Sequence, residues 1–291
     1  MSFTHITVAG KTDDPSFQRS RCIAQALCDL YPDRIQISVM EFFECQWNQF
    51  VKTTANKLKG VFYSHSESPL VFLNEKEYVG DGDAFLTWAL HNFNYKDELR
   101  YSDYERMALE SIKEKINCSK TRKYAQINFS VGGATSAVII ELFHDICPQT
   151  VHNFLQLCAG FKNNANEQVG YQNSEIHRVV PGMFVQGGRI KNVKESCSVF
   201  GAEFADESFH VKHGAAGMVG MCKRSGLQHS NESQFYITTG APLSFMDGKN
   251  VVFGRVVSGY STIEQIENFP CNNECPTDPI KIVSCGVYTM K

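Results

Sequence analysis

Long apolar runs are what this chain of 291 residues lacks first. No segment approaches the roughly 20 consecutive apolar residues that a membrane span needs, and the opening MSFTHITVAGKTDD has no basic start followed by an apolar stretch. Membrane insertion and secretion are therefore not expected, and a cytoplasmic location is. An excess of positive charge is missing too: 28 Lys+Arg against 31 Asp+Glu leave a net charge of −3, which argues against a nucleic-acid partner. With 43% hydrophobic and 20% charged residues the chain has the composition of an ordinary soluble protein, and its length suits two compact domains.

Regular cysteine spacing is also absent. Eleven cysteines are scattered through apolar segments, the usage of buried thiols rather than of a disulfide framework. Cys271 and Cys275 form the one close pair near a turn-rich stretch; a metal there would need two more ligands that the neighbourhood does not offer, so no metal and no cofactor are expected. Two small loop residues are the favoured reading, with a disulfide under oxidation as the alternative.

What is present changes period along the chain. HITVAG reads as a strand, SFQRSRCIAQALCDLY as a helix with Ile23, Leu27 and Leu30 on an apolar stripe, and RIQISVM as a second strand. WNQFVKTTANKL predicts another helix, SPLVFLN and EYVG two short strands, and Asp83 is placed to cap a last helix, AFLTWALHNF. This βαβαββα order, with Pro69 ahead of LVFL, resembles the thioredoxin and glutaredoxin fold over residues 1–95. In that family a Cys-Pro-x-Cys segment opens the first helix and supplies the thiolate. Here Asp14-Pro15-Ser16-Phe17 stands in its place, so the resemblance implies the scaffold and denies the redox reaction. Cys22 and Cys28, six apart on the first helix, are read as core.

Residues 96–122 read as a helical linker: Ser102-Asp103-Tyr104-Glu105 fits a capping box, and Tyr104, Ala108, Ile112 and Ile116 make a stripe. The opposite face, with Glu110, Lys113, Glu114 and Lys115, is charged. NCSKTRK after it reads as a flexible joint.

From residue 123 to 291 short strands dominate. YAQINFSV and TSAVIIELF flank Gly132-Gly133 as a hairpin, CPQTVHNFLQLCAG is a helix with Pro148 in its first turn and Gly160 at its end, and TIEQIENF is a second helix. Mainly β with two helices predicts a closed barrel capped at both ends. Three stretches, IHRVVPGMFVQGG, SQFYIT and DGKNVVFGRV, resemble in sequence and order the signatures of the cyclophilin-type peptidyl-prolyl isomerases. With the front domain added, the chain resembles the two-domain peptidyl-prolyl isomerase-like 6 subgroup, a type associated with ciliated cells.

The resemblance implies binding of a proline-containing peptide or protein and rotation of its X-Pro bond, a barrier of roughly 20 kcal/mol that needs neither nucleophile nor cofactor. Arg178 is the implied donor to the prolyl carbonyl, steadied by Gln186. Met183, Phe184, Tyr236, Phe245, Met246 and Asn250 match the wall of the proline pocket, and the backbone of Cys222 and Lys223 matches an edge that pairs with extended peptide. His177 is expected to point to the opposite side of its strand from Arg178.

Several positions depart from the family pattern. Met183 and Tyr236 stand where phenylalanine is usual, Phe245 where cyclosporin-sensitive members have tryptophan, and Asn250 where histidine is usual. RIKNVKESCSV, with Lys191, Lys194 and Glu195, replaces a glycine-rich loop; MCKRSGLQHSNESQ is lengthened and carries Lys223 and Arg224; Glu232 replaces a glycine. Two readings follow: an isomerase of reduced rate or altered specificity, or a catalytically poor module that binds within a larger assembly. For a ciliary subgroup that assembly would be axonemal.

Overall fold

The computed structural model describes residues 3–117, 121–163, 166–191, 197–201, 203–224, 227–240 and 242–289. It divides into two compact units, residues 1–118 and 119–291. Among the described residues no helix is long and apolar enough to cross a membrane.

The first unit is built on a four-stranded sheet. Its elements are β1 (Thr4–Lys11), α1 (Pro15–Leu30), β2 (Ile35–Phe42), α2 (Glu44–Leu58), β3 (Leu70–Leu73), β4 (Glu77–Gly80), α3 (Gly82–Phe93) and α4 (Tyr101–Asn117). The sheet order is β2-β1-β3-β4, with β1 parallel to β2 and antiparallel to β3, and β4 antiparallel to β3. Strand alternation sends successive side chains to opposite faces. Val71 and Leu73 accordingly join Ile6, Val8, Phe17, Leu27 and Phe85 in one apolar cluster, while Leu70 and Phe72 join Trp47, Val51 and Phe62 in another. The Ser68–Pro69 peptide is cis.

Two local expectations are corrected here. The cap of α3 is Asp81, whose carboxylate accepts from Asp83 N and Ala84 N at 3.1 and 2.9 Å; Asp83 lies inside the first turn and pairs with Arg19. The helix expected in the linker belongs to the first unit instead. It begins one residue ahead of Ser102, with Asp103 Oδ2 accepting from Arg100 N at 3.2 Å, so the capping carboxylate is Asp103, two residues earlier than the Glu105 of the S-D-Y-E pattern. Tyr104, Ala108 and Ile112 are buried, and Tyr104 Oη donates to Asp97 at 2.6 Å. Met107 Sδ meets Cys22 Sγ of α1 at 3.8 Å, and Lys115 Nζ reaches Glu41 at 2.9 Å and Thr12 Oγ1 at 2.7 Å. Of the remaining linker expectations, the side chain of Ile116 and residues 118–120 of the joint lie outside the described residues.

The second unit runs β5 (Lys123–Val131), β6 (Ala134–Leu142), α5 (Pro148–Ala159), β7 (Phe161–Lys162), β8 (Gln168–Val169), β9 (Glu175–Ile176), β10 (Arg178–Val180), β11 (Phe184–Gly187), β12 (Met218–Lys223), β13 (Asn231–Thr238), β14 (Val252–Ser258), α6 (Tyr260–Glu267), β15 (Cys271–Asn272), β16 (Cys275–Pro276) and β17 (Ile280–Val287). Gly132 and Gly133, at φ 57° and 88°, supply the two left-handed residues that a two-residue hairpin between β5 and β6 needs. Nine strands form one sheet in the order β10-β11-β13-β12-β14-β6-β5-β17-β9. Its two end strands are consecutive in the chain, separated by His177 alone, and Glu175 bridges to Arg189 just past β11. The sheet therefore curls into a nearly closed barrel. Phe154 of α5 fills it, packing its ring 5.0–5.4 Å from those of Tyr171, Phe235 and Phe253. α6 packs on β11, β10, β6 and β5.

Candidate functional site

β10 and β11 form a short antiparallel ladder in which Arg178 lies opposite Gln186 and Val180 opposite Phe184. β13 continues it, with Tyr236 opposite Gln186 and Thr238 opposite Phe184. Period-2 alternation thus places Arg178, Phe184, Gln186, Gln234 and Tyr236 on one face of the sheet. The guanidinium carbon of Arg178 sits 5.4 Å from the centroid of the Phe184 ring, and the Phe184 and Tyr236 rings lie 5.7 Å apart.

Next to that charge is an apolar floor. Phe184, Tyr236, Leu243 and Met246 form a buried cluster with Val180, Met183 and Cys222 packed at its edge. Phe184, Met183, Tyr236 and Met246 thus lie together in one cluster. Phe245 is not among them: its side chain is 54% exposed, because the short 3-10 turn Ser244–Met246 turns Met246 inward and Phe245 out. Asn250 is partly buried, and its Nδ2 donates to Met221 O at 3.0 Å.

The Tyr236 hydroxyl does not face this floor. It lies 2.6 Å from Nε2 of His213, whose side chain is fully buried; Nδ1 of the same ring is 2.8 Å from Asp247 Oδ1, and the backbone N–H of His213 donates to that oxygen at 2.9 Å. With Nδ1 protonated toward Asp247, Nε2 is an acceptor and Tyr236 the donor, so both ring nitrogens of His213 and the Tyr236 hydroxyl are satisfied. Burial holds the Tyr236 phenol well above its ordinary pKa. The backbone N–H of His213, and then its imidazole, hold the Asp247 carboxyl below its own. Gly220 makes room for the hydroxyl, since a Cβ there would sit 2.2 Å from Tyr236 Oη.

Arg178 and Gln186 are neighbours in register but bond to other side chains. Arg178 Nε donates to Glu274 Oε2 at 2.6 Å, and Gln186 Nε2 donates to Gln234 Oε1 at 3.1 Å. Glu274 lies in the two-residue turn between β15 and β16, where Asn273 and Glu274 have φ of 48° and 66°, and Val179 N donates to Glu274 O at 2.7 Å. The β15–β16 register places Cys271 opposite Pro276 and Cys275 opposite Asn272, so the two thiols project from opposite faces of the ribbon. His177, the single residue between β9 and β10, is partly buried, and burial, then the Arg189 charge, depress its pKa.

The ground ahead of the pocket is crowded by ion pairs. β12 is an interior strand between β13 and β14; Cys222 and Lys223 lie beyond its last rung with β14, Gly220 opposite Val252. Lys223 Nζ is bound to the buried Asp206 at 2.7 Å, and Arg224 pairs with Glu203 at 2.5 Å across a cavity of about 110 Å3 that Cys222, Glu232 and Gln234 also line. On the other side of Lys223, a cleft of about 500 Å3 opens toward Phe209, Lys249 and Asn250. Lys191 is tied to Glu175 at 2.7 Å, whereas Lys194 and Glu195 lie outside the described residues.

Five contributors escaped the sequence reading: Leu243, His213, Asp247, Gln234 and Glu274. Gln234 had a usable signal, since it stands two residues before Tyr236 on one strand and so shares its face. The others come from loops and turns whose approach no local pattern encodes.

A family model described as "Cyclophilin type peptidyl-prolyl cis-trans isomerase/CLD" matches residues 126–287. The chain belongs to the cyclophilin-type peptidyl-prolyl isomerase family. A Mus musculus protein named "Probable inactive peptidyl-prolyl cis-trans isomerase-like 6" is 31% identical over 98% of this chain and 91% of its own length, and its Bos taurus namesake 32% identical over 97% and 92%. "Peptidyl-prolyl cis-trans isomerase 11" of Caenorhabditis elegans is 39% identical over 55% of this chain and 88% of its own length.

Proposed function

We propose that the second unit binds X-Pro peptides over the Phe184–Tyr236–Met246 floor and rotates the prolyl bond, at a modest rate, with Arg178 as the essential donor. The observation that carries this reading is the exposed Arg178 guanidinium held over the Phe184 ring beside a buried apolar cluster. Rotation needs only a grip on the ring and a donor fixed where the carbonyl and nitrogen change character. Arginine stays charged at any working pH and offers several N–H groups in one plane. Gln186 acts through Gln234 in this reading, buttressing the face beside Arg178. Asn250 and the backbone of Cys222 and Lys223 line the approach, and Phe245 is a rim contact.

The test is two-dimensional exchange spectroscopy on an Ala-Pro peptide with the protein and its Arg178→Ala variant. The protein should accelerate exchange and the variant should lose at least about tenfold of that acceleration, the scale of one lost charged donor in a transition state. Equal acceleration by both would remove Arg178 from the mechanism; none by either would leave binding alone.

A second reading, a catalytically poor module within a larger assembly, is favoured by the Arg178–Glu274 pair and by the ion pairs that narrow the approach. The first unit suits it. We propose that this unit is a thioredoxin-like scaffold, supported by the sheet order β2-β1-β3-β4 and the strand directions within it. At the positions matched to the family's thiols stand Asp14, which caps α1 through Ser16 N at 2.9 Å, and Phe17, which is fully buried. An axonemal assembly in the cilium rests on the subgroup resemblance alone; enrichment in a detergent-resistant ciliary fraction is its test.

A further inference from the structure

We infer that Glu274 is a specificity-determining residue that selects peptides with lysine or arginine directly after the proline; this rests on the reading of Arg178 as the donor to the prolyl carbonyl. Glu274 is fixed in place. Its backbone carbonyl accepts from Val179 N at 2.7 Å, next door to Arg178, and its side chain meets Arg178 Nε at 2.6 Å. Both side chains are 46% exposed, so the pair is open to solvent. A second carboxylate, Glu267 Oε1, accepts from Gly182 N at 2.7 Å at the turn between β10 and β11. The ribbon that carries the donor is thus flanked by negative charge at its turn and at Arg178.

Geometry decides which peptide position feels that charge. With Nε held by Glu274, the terminal nitrogens of Arg178 are the donors left for the prolyl carbonyl. The residue after the proline is bonded to that same carbonyl carbon, so its side chain starts beside the guanidinium. A long basic side chain there reaches the Glu274 carboxylate, which can take further donors besides Arg178. It draws charge from Glu274 that Arg178 otherwise shares, and so strengthens the guanidinium as a donor. An acidic residue at that position is repelled by Glu274, or else displaces it and takes Arg178 away from the carbonyl.

The experiment titrates the full chain by NMR with the amidated peptides Ala-Ala-Pro-Lys, Ala-Ala-Pro-Gln, Ala-Ala-Pro-Glu and Ala-Ala-Ala-Lys. At low ionic strength the order of affinity should be Lys above Gln above Glu, with about tenfold between the ends, the sum of one exposed attraction and one repulsion. The alanine peptide should bind more weakly than its proline counterpart. Glu274→Gln should bring the Lys and Glu peptides within about twofold of each other, and Glu274→Lys should reverse their order. A ratio below twofold in the unaltered protein, a ratio that persists in either variant, or no binding of the lysine peptide overturns the inference. Preference without accelerated exchange supports Glu274 and sinks the isomerase reading. Accelerated exchange without preference does the opposite.

Discussion

At the scale of the residue, Tyr236 shows how a polar atom can sit behind an apolar pocket without altering it. Its ring faces Phe184 while its hydroxyl is committed to His213 and, through it, to Asp247. Tyr236→Phe should therefore leave X-Pro affinity within about threefold, because the ring face is unchanged, yet lower stability by about 1–3 kcal/mol, because the buried Nε2 of His213 loses its donor. Peptide titration and urea unfolding of the same variant separate the two effects. The hydroxyl was legible as a sequence difference from the family's phenylalanine. Its direction was not, because Gly220 and His213, which admit and bind it, come from 16 and 23 residues upstream on other segments.

At the scale of the element, Asp206 ties three segments together. Its carboxylate takes Lys223 Nζ of β12 at 2.7 Å, Asn231 Nδ2 of β13 at 3.0 Å and the backbone N–H of His229 at 3.2 Å. Burial alone would raise its pKa, but the Lys223 ammonium and the Asn231 amide outweigh it and hold the carboxyl below its ordinary 3.8. A depressed carboxyl stabilises the fold above its unfolded pKa and loses that contribution as pH falls through the folded value. Asp206→Asn should thus cost about 3 kcal/mol at pH 7, where it strands the largely buried Lys223 ammonium, and the gap from the unaltered protein should narrow below about pH 4. Urea unfolding at pH 7 and pH 3.5 measures it. At this same scale the helices were read from their periodicity, but two caps were misplaced. Asp81 and Asp83 both stand near the start of α3, as Ser102 and Asp103 do near α4, and only the backbone path decides which oxygen meets the free N–H groups.

At the scale of the whole molecule, the residues assigned to peptide binding all lie in the unit of residues 119–291. That unit has its own barrel and its own aromatic core around Phe154. Expressed alone, residues 119–291 should fold cooperatively and bind the Ala-Ala-Pro-Lys peptide within about threefold of the full chain, the behaviour of a domain that needs no contact outside itself. Calorimetry and peptide titration check this; a fragment that unfolds at 25 °C or binds tenfold more weakly would show that the first unit contributes to the site. α4 should be included with the first unit in any such division, since Tyr104, Ala108 and Ile112 are buried there.

The amino-acid sequence by itself determined the division into an α/β unit and a mainly β barrel, and the family of the second unit. The division follows from period and turn chemistry, and the family from the resemblance of three sequence signatures in their order, all of which survive in a linear reading. Tertiary structure alone decided that Phe245 turns outward, that Gln186 bonds to Gln234, that Tyr236 is braced from behind, and that Arg178 meets a carboxylate 96 residues further along the chain. Each of those depends on how closely two distant backbones approach, and a sequence pattern carries no distance between segments that are far apart in the chain.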